Sequence, residues 1–151
     1  MQTPYHYTIS GLDNIYLLGG VFEHDTDYGK GISIADIDGL HRLISSNIIN
    51  APRRLLPKEF KFLRKEMRCS QTALGNLMGV SDQTIARIEK DETIASVAFE
   101  AAFRVLAHET IFGKHAAIKN FLDEINKIED HMHEQFKLIF KKEHTEWKMA
   151  A

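Results

Sequence analysis

Long apolar runs are missing from this 151-residue sequence, and cysteine is nearly missing too. No stretch reaches the roughly 20 apolar residues that a membrane-spanning helix needs, so no membrane partner is expected. The opening MQTPYHYTISGLD has neither a basic region nor an apolar one, which predicts no signal peptide and a cytoplasmic protein. The single cysteine, Cys69, excludes an intramolecular disulfide and cannot alone build a cysteine-based zinc site. There is no phosphate-binding Gly-rich loop, dinucleotide fingerprint or nucleophile elbow, so an enzyme is not expected. Ser33, Asp38 and His41 occur, as such residues do in most chains of this size. The eight histidines invite a metal reading. However, His131 and His133, two positions apart, diverge by about 200° on a helix. His24, Asp25 and Asp27 read as a surface turn. No metal and no cofactor is expected.

What the chain does have is a segregated charge. The formal net charge of −2 conceals nine Lys/Arg against four Asp/Glu in residues 51–90. Residues 1–50 carry two against six, and residues 91–151 eight against eleven. A basic middle between acidic ends is the electrostatic footprint of a polyanion partner. The plainer reading is a solvated charged face.

The first third reads as short strands followed by a helix. In YHYTI, Tyr5, Tyr7 and Ile9 alternate with His6, Thr8 and Ser10. Turn chemistry at 11–14 leads to IYLL as a second strand, Gly19-Gly20 breaks it, and VFEHD is a short third. Tyr28-Gly29-Lys30-Gly31 predicts a turn. Ser33, with Asp36 three residues on, predicts the start of a helix carrying Ile34, Ile37, Leu40, Ile44 and Ile48.

From Pro57 the pattern is helical. Pro57 suits a first helical position, and Phe60, Leu63 and Met67 line one face. Ser70 caps a helix with Leu74, Leu77 and Met78, which Gly79 ends in a left-handed conformation. Ser81 caps the next, with Ile85 and Ile88 inward. Ile94, Val97, Ala98, Ala101 and Val105 define a fourth helix. Beyond Gly113, Ile118, Phe121, Leu122, Ile125, Ile128, Met132, Phe136 and Ile139 form one long helical stripe. That stripe either packs on the preceding helices or builds a dimer interface, and a two-fold reader of DNA favours the dimer. The helix of residues 33–48 is the rival interface. The end, KKEHTEWKMAA, is expected to fray, with Trp147 as its anchor.

Two short helices about the Gly79-Val80-Ser81 turn make a helix-turn-helix. Ile85 and Ile88 fix the second helix, leaving Ser81, Asp82, Gln83, Thr84, Ala86, Arg87 and Lys90 on its start and outer side. Such a helix enters the major groove, where Gln pairs with adenine, Arg with guanine, and Thr offers a hydroxyl and a methyl. Gln71 is placed to hold a phosphate. Asp82 either accepts from a cytosine amine or favours the positive helix N-terminus. Arg53, Arg54, Lys58 and Lys61 are candidate phosphate contacts.

The pattern S-Q-x-x-L-x-x-x-x-G-V-S-x-x-x-I-x-x-x-E resembles the Cro/C1 (XRE) type of helix-turn-helix regulator over roughly residues 57–107. The resemblance implies that Arg64 of the first helix pairs with Glu89 at the end of the recognition helix, a structural role. Gly75 stands where this family usually has Ala, and Asp91 where it often has Gly. A looser resemblance, in the order of parts, is to MqsA-type (YgiT-type) antitoxins. Their zinc-binding CxxC pairs are absent here.

The expected architecture is mainly α: a five-helix Cro/C1-like domain with a small β-containing N-terminal part and a long C-terminal helix. The expected divisions are 1–52, 53–112 and 113–151. The expected function is a sequence-specific repressor, a homodimer on a palindromic operator in double-stranded DNA, controlling its own gene. The alternative is an antitoxin whose N-terminal part binds a toxin protein.

Overall fold

The computed structural model describes residues 3–113 and 138–150. Four short strands open the chain: β1 (Tyr5–His6), β2 (Tyr16–Leu17), β3 (Val21–Thr26) and β4 (Gly29–Ile34). They form two separate antiparallel hairpins, with Tyr5 opposite Leu17 and Val21 opposite Ile34. Helices α1 (Ile37–Asn50), α2 (Pro57–Glu66), α3 (Gln71–Met78), α4 (Asp82–Glu89) and α5 (Val97–Phe112) follow. A last hairpin pairs β5 (Phe140–Glu143) with β6 (Glu146–Met149).

The N-terminal part departs from the sequence expectation in three places. The Tyr5/Tyr7/Ile9 alternation stops early: Tyr7 is buried, but Ile9 is exposed and a turn bond joins Gly11 N to Thr8 O. The predicted 28–31 turn falls at Asp27–Tyr28, and its two glycines lie in β4. Ser33 and Ile34 are therefore strand residues, and Asp36 itself caps α1, accepting from Gly39 N at 3.2 Å. Asp36 holds a left-handed conformation (φ 46°), one that Asp tolerates better than most residues.

The helices form where local chemistry starts and stops them. Pro57 takes the first turn of α2, and Ser70, Ser81 and Ser96 each accept a backbone N–H three residues on. Gly79 closes α3 at φ 71°. One core runs through all five helices and reaches back to Leu12 and forward to Ala107, without a break at the 51–54 linker. Phe60 and Phe103 meet at its centre, ring centroids 4.2 Å apart.

Helix α5 is turned the other way from the sequence expectation. It buries Glu100, Phe103, Leu106 and Ala107, while Val97, Ala98, Ala101 and Val105 face outward, and Ile94 before it is exposed too. The larger apolar residues take the core, and Glu100 is admitted because cations meet it there. It accepts from Arg54 Nε at 3.1 Å, Leu55 N at 2.9 Å and Arg104 Nη2 at 3.3 Å. Arg104 also donates to the carbonyls of Ile49 and Ala51, tying the end of α1 to α5.

The predicted C-terminal stripe falls largely on residues 118–136, outside the described residues. Ile139 is described, and it is not helical. It precedes β5, and its carbonyl accepts from Ala150 N at 2.8 Å. The tail expected to fray is a hairpin, with Trp147 two-thirds exposed and the Lys142 ammonium 5.7 Å from its ring centroid.

Two further contacts join the N-terminal part to the helices. The Tyr7 hydroxyl lies 2.7 Å from His41 Nε2, and His41 Nδ1 donates to Glu66 Oε1 at 2.7 Å. Burial, and then the Glu66 charge, push the Tyr7 hydroxyl pKa up, so it stays a neutral partner. At the linker, Arg53 makes a two-pronged bond to the buried Glu59, at 2.7 Å to each oxygen. Burial alone would raise the Glu59 pKa, but the Arg53 guanidinium and the Leu56 N–H outweigh it and hold the carboxyl below its ordinary value. A depressed folded value stabilises the fold above the ordinary range and loses that contribution as pH falls through it. Glu59→Gln is therefore expected to cost about 1–3 kcal/mol at pH 7. The gap to wild type should close as pH drops below about 4.5, as read from urea unfolding midpoints.

Candidate nucleic-acid interface

Helices α3 and α4 pack on each other across a turn of three residues, 79–81. The turn is tight. A Cβ on Gly75 would sit 2.7 Å from Val80 O, so the chain passes closer to α3 than an alanine permits without a shift. This accounts for the Gly75 departure from the family pattern. Asp91, the other departure, adopts φ 59°, the left-handed conformation that glycine takes without penalty.

Ile85 and Ile88 are buried and set the rotation of α4. Asp82, Gln83, Arg87 and Lys90 are exposed, and Thr84 is half-buried. Ser81 Oγ accepts from Thr84 N at 3.1 Å and lies 3.0 Å from the Thr84 hydroxyl. Asp82 Oδ1 accepts from Gln83 N at 2.9 Å, at the positive end of the helix. Among the described residues the side chains of Gln83, Arg87 and Lys90 have no partner, and they extend from α4 and its C-cap, a short helix anchored by two isoleucines.

A buried ion pair holds that helix in place. Arg64 Nε of α2 donates to Glu89 Oε1 at 2.6 Å, with the two side chains only 10% and 3% exposed. Arg64 Nη1 donates to Cys69 O at 2.9 Å, and Gln71 Nε2 donates to Glu89 Oε2 at 2.8 Å. One carboxylate thus joins α2, the start of α3 and the end of α4.

The other sequence-predicted contacts lie apart from this helix. Lys61 is exposed on α2. Lys58 is exposed but bonded to Asp13 at 2.6 Å. Arg53 and Arg54, half-exposed, are committed to Glu59 and Glu100, and Arg54 also donates to Ala95 O. This departs from the phosphate role expected of the two arginines: they tie the linker to α2 and α5. Gln71 likewise spends one amide donor on Glu89 rather than on a phosphate. Sequence reasoning missed all of these partners: those of Lys58, Arg54 and Gln71 lie 18 or more residues away, and that of Arg53 lies six away across the bend of the linker. Among the described residues, no group of three His, Cys, Asp or Glu is placed to hold a metal ion, and no helix is long and apolar enough to cross a membrane.

Residues 60–99 match the protein family described as Helix-turn-helix. The segment is a Cro/C1-type helix-turn-helix domain. The match takes in most of α2, all of α3 and α4, and the start of α5, so the buried Arg64–Glu89 pair lies wholly within it. No curated protein and no solved structure matches the chain. The helix-turn-helix domain makes the chain a DNA-binding protein of the transcription-regulator kind, with double-stranded DNA as its partner.

Removing one partner of a buried pair strands the other's charge. Arg64→Met is expected to cost about 3–5 kcal/mol of stability by thermal or urea unfolding. It should also cost more than Arg87→Ala, which removes only an exposed side chain.

Proposed function

We propose that the protein is a sequence-specific repressor that acts in the cytoplasm as a homodimer on a palindromic operator and controls its own gene. The observation that carries this reading is the outer face of α4. Gln83 and Arg87 are exposed one turn apart on a helix fixed from behind by Ile85, Ile88 and Glu89. These are the side-chain types that pair bidentately with adenine and guanine in the major groove. Lys61, Lys58 and Lys90 supply exposed positive charge on neighbouring elements for phosphates. Lys58 exchanges Asp13 for a phosphate oxygen. A surface pair of this kind is worth little, so the exchange costs little.

Homodimerisation follows from the reading task. One helix reads a few base pairs, and a two-fold pair reads two half-sites about 34 Å apart. The sequence stripe of residues 118–139 remains a proposed contributor to that dimer.

A second reading, an antitoxin that binds a toxin protein through its N-terminal part, draws on the β3–β4 hairpin. Phe22, Tyr28 and Ile32 are exposed there beside Glu23, Asp25 and Asp27. In that reading DNA binding serves autoregulation.

Fluorescence anisotropy on DNA from upstream of the protein's own gene, against scrambled DNA of equal length at two salt concentrations, tests the repressor reading. Tight binding that prefers the upstream DNA and falls steeply with salt is expected. Equal weak binding to both DNAs would move the protein-partner reading to the front. Arg87→Ala should cost about 1–3 kcal/mol and relax specificity at one base position. A uniform loss on every sequence would make Arg87 a phosphate contact instead.

A further inference from the structure

Helix α2 turns its cations and its acids in different directions. Lys58, Lys61 and Lys65 recur at three- and four-residue spacing, which sets them on one face, and all three are exposed. Arg68, exposed as well, stands just past the C-cap. The acids of the helix point elsewhere and are taken: Glu59 is buried against Arg53, and Glu66 accepts from His41. Among the described residues the side chains of Lys61, Lys65 and Arg68 have no partner. From Lys58 to Lys65 the strip runs about 10 Å at 1.5 Å per residue. That is too long for one phosphate group, and it suits a strand whose phosphates follow one another. Arg64, on one flank of the strip, reaches Glu89 of α4, so the strip borders the helix-turn-helix.

One position of the strip is occupied from within the chain. Asp13, on the loop after β1, accepts from Lys58 Nζ at 2.6 Å. The two side chains are 75% and 60% exposed, so the bond stands in solvent and is easily exchanged. Asp13 and Asn14 share a cleft with Lys58 and with Glu89 and Lys90 at the end of α4. The Asp13 carboxylate therefore takes, beside the recognition helix, the place on Lys58 that a phosphate oxygen would take.

We infer that the exposed face of α2 is a track for the phosphates of DNA flanking the bases read by α4, and that Asp13 competes with those phosphates for Lys58. This rests on the DNA-binding assignment above and adds a part that is independent of sequence: the N-terminal loop weakens the grip on every DNA alike.

Anisotropy on upstream and on scrambled DNA, over a series of salt concentrations, reads both halves. Lys61→Gln and Lys65→Gln are each expected to weaken binding to both DNAs by the same factor, about fivefold at low salt. Each should also lower the slope of log affinity against log salt by about 0.9. Asp13→Asn should strengthen binding to both DNAs about two- to fivefold. In a Lys58→Gln background the same change should do nothing, because Asp13 then has no cation to withhold. All four side chains are exposed, so the circular dichroism spectra should match that of the wild type.

An unchanged salt slope in the double variant Lys61→Gln with Lys65→Gln would overturn the track, as would wild-type binding to neither DNA. No gain from Asp13→Asn, or a gain that persists without Lys58, would overturn the competition. Equal binding of the wild type to both DNAs sinks the repressor reading alone, since scrambled DNA still reads the track.

Discussion

The recognition helix is eight residues long, too short to hold itself together. Its helicity and its aim are imposed from outside, and the Arg64–Glu89 bond is the main constraint. Ile85 and Ile88 fix the rotation of α4 but would tolerate sliding along the core. A 2.6 Å charge-assisted bond at its last residue does not. Because the same carboxylate also takes the Gln71 amide, the angle between α3 and α4 is set at both ends: by the Gly79 turn at one and by Glu89 at the other.

A second polar network does for α5 what this pair does for α4. Glu100 gathers Arg54, Arg104 and the Leu55 N–H, so the linker between α1 and α2 is strapped to the last helix of the domain. The basic charge of residues 51–90 is therefore not all available to a polyanion. Part of it balances buried carboxylates, and the exposed remainder lies on α2 and α4 and at their C-terminal ends, where Arg68 and Lys90 stand.

Features that rest on local chemistry were legible in the sequence. The caps Ser70 and Ser81, Pro57, Gly79 and the inward Ile85 and Ile88 could be placed because each depends on neighbours within four residues, whereas the Ser96 cap was missed and Ser33 proved to be a strand residue. The facing of α5 was not legible. A stripe of Val and Ala at helical spacing looks like a core face until one knows that Glu100 finds Arg54 from the linker beside Arg104 of its own helix. Strand β4 was hidden for a related reason. Gly29 and Gly31 signal a turn on their own, yet the partner strand β3 draws both into its ladder, with Thr26 packed where a side chain on Gly31 would go. The candidate DNA-reading residues were named from spacing alone, and the structure places Gln83 and Arg87 on the open face of α4.

The core does not stop at the linker. Leu12 is sealed among residues of the helices, and Tyr7 reaches α2 through His41. The segment that carries Tyr7 and Leu12 is therefore expected to unfold together with the helices rather than apart from them. A ligand that holds the folded Tyr7–Leu12 segment is expected to raise the melting temperature of the helices packed on it. A signal received at one end of the molecule is felt at the other as a change in the stability of the whole.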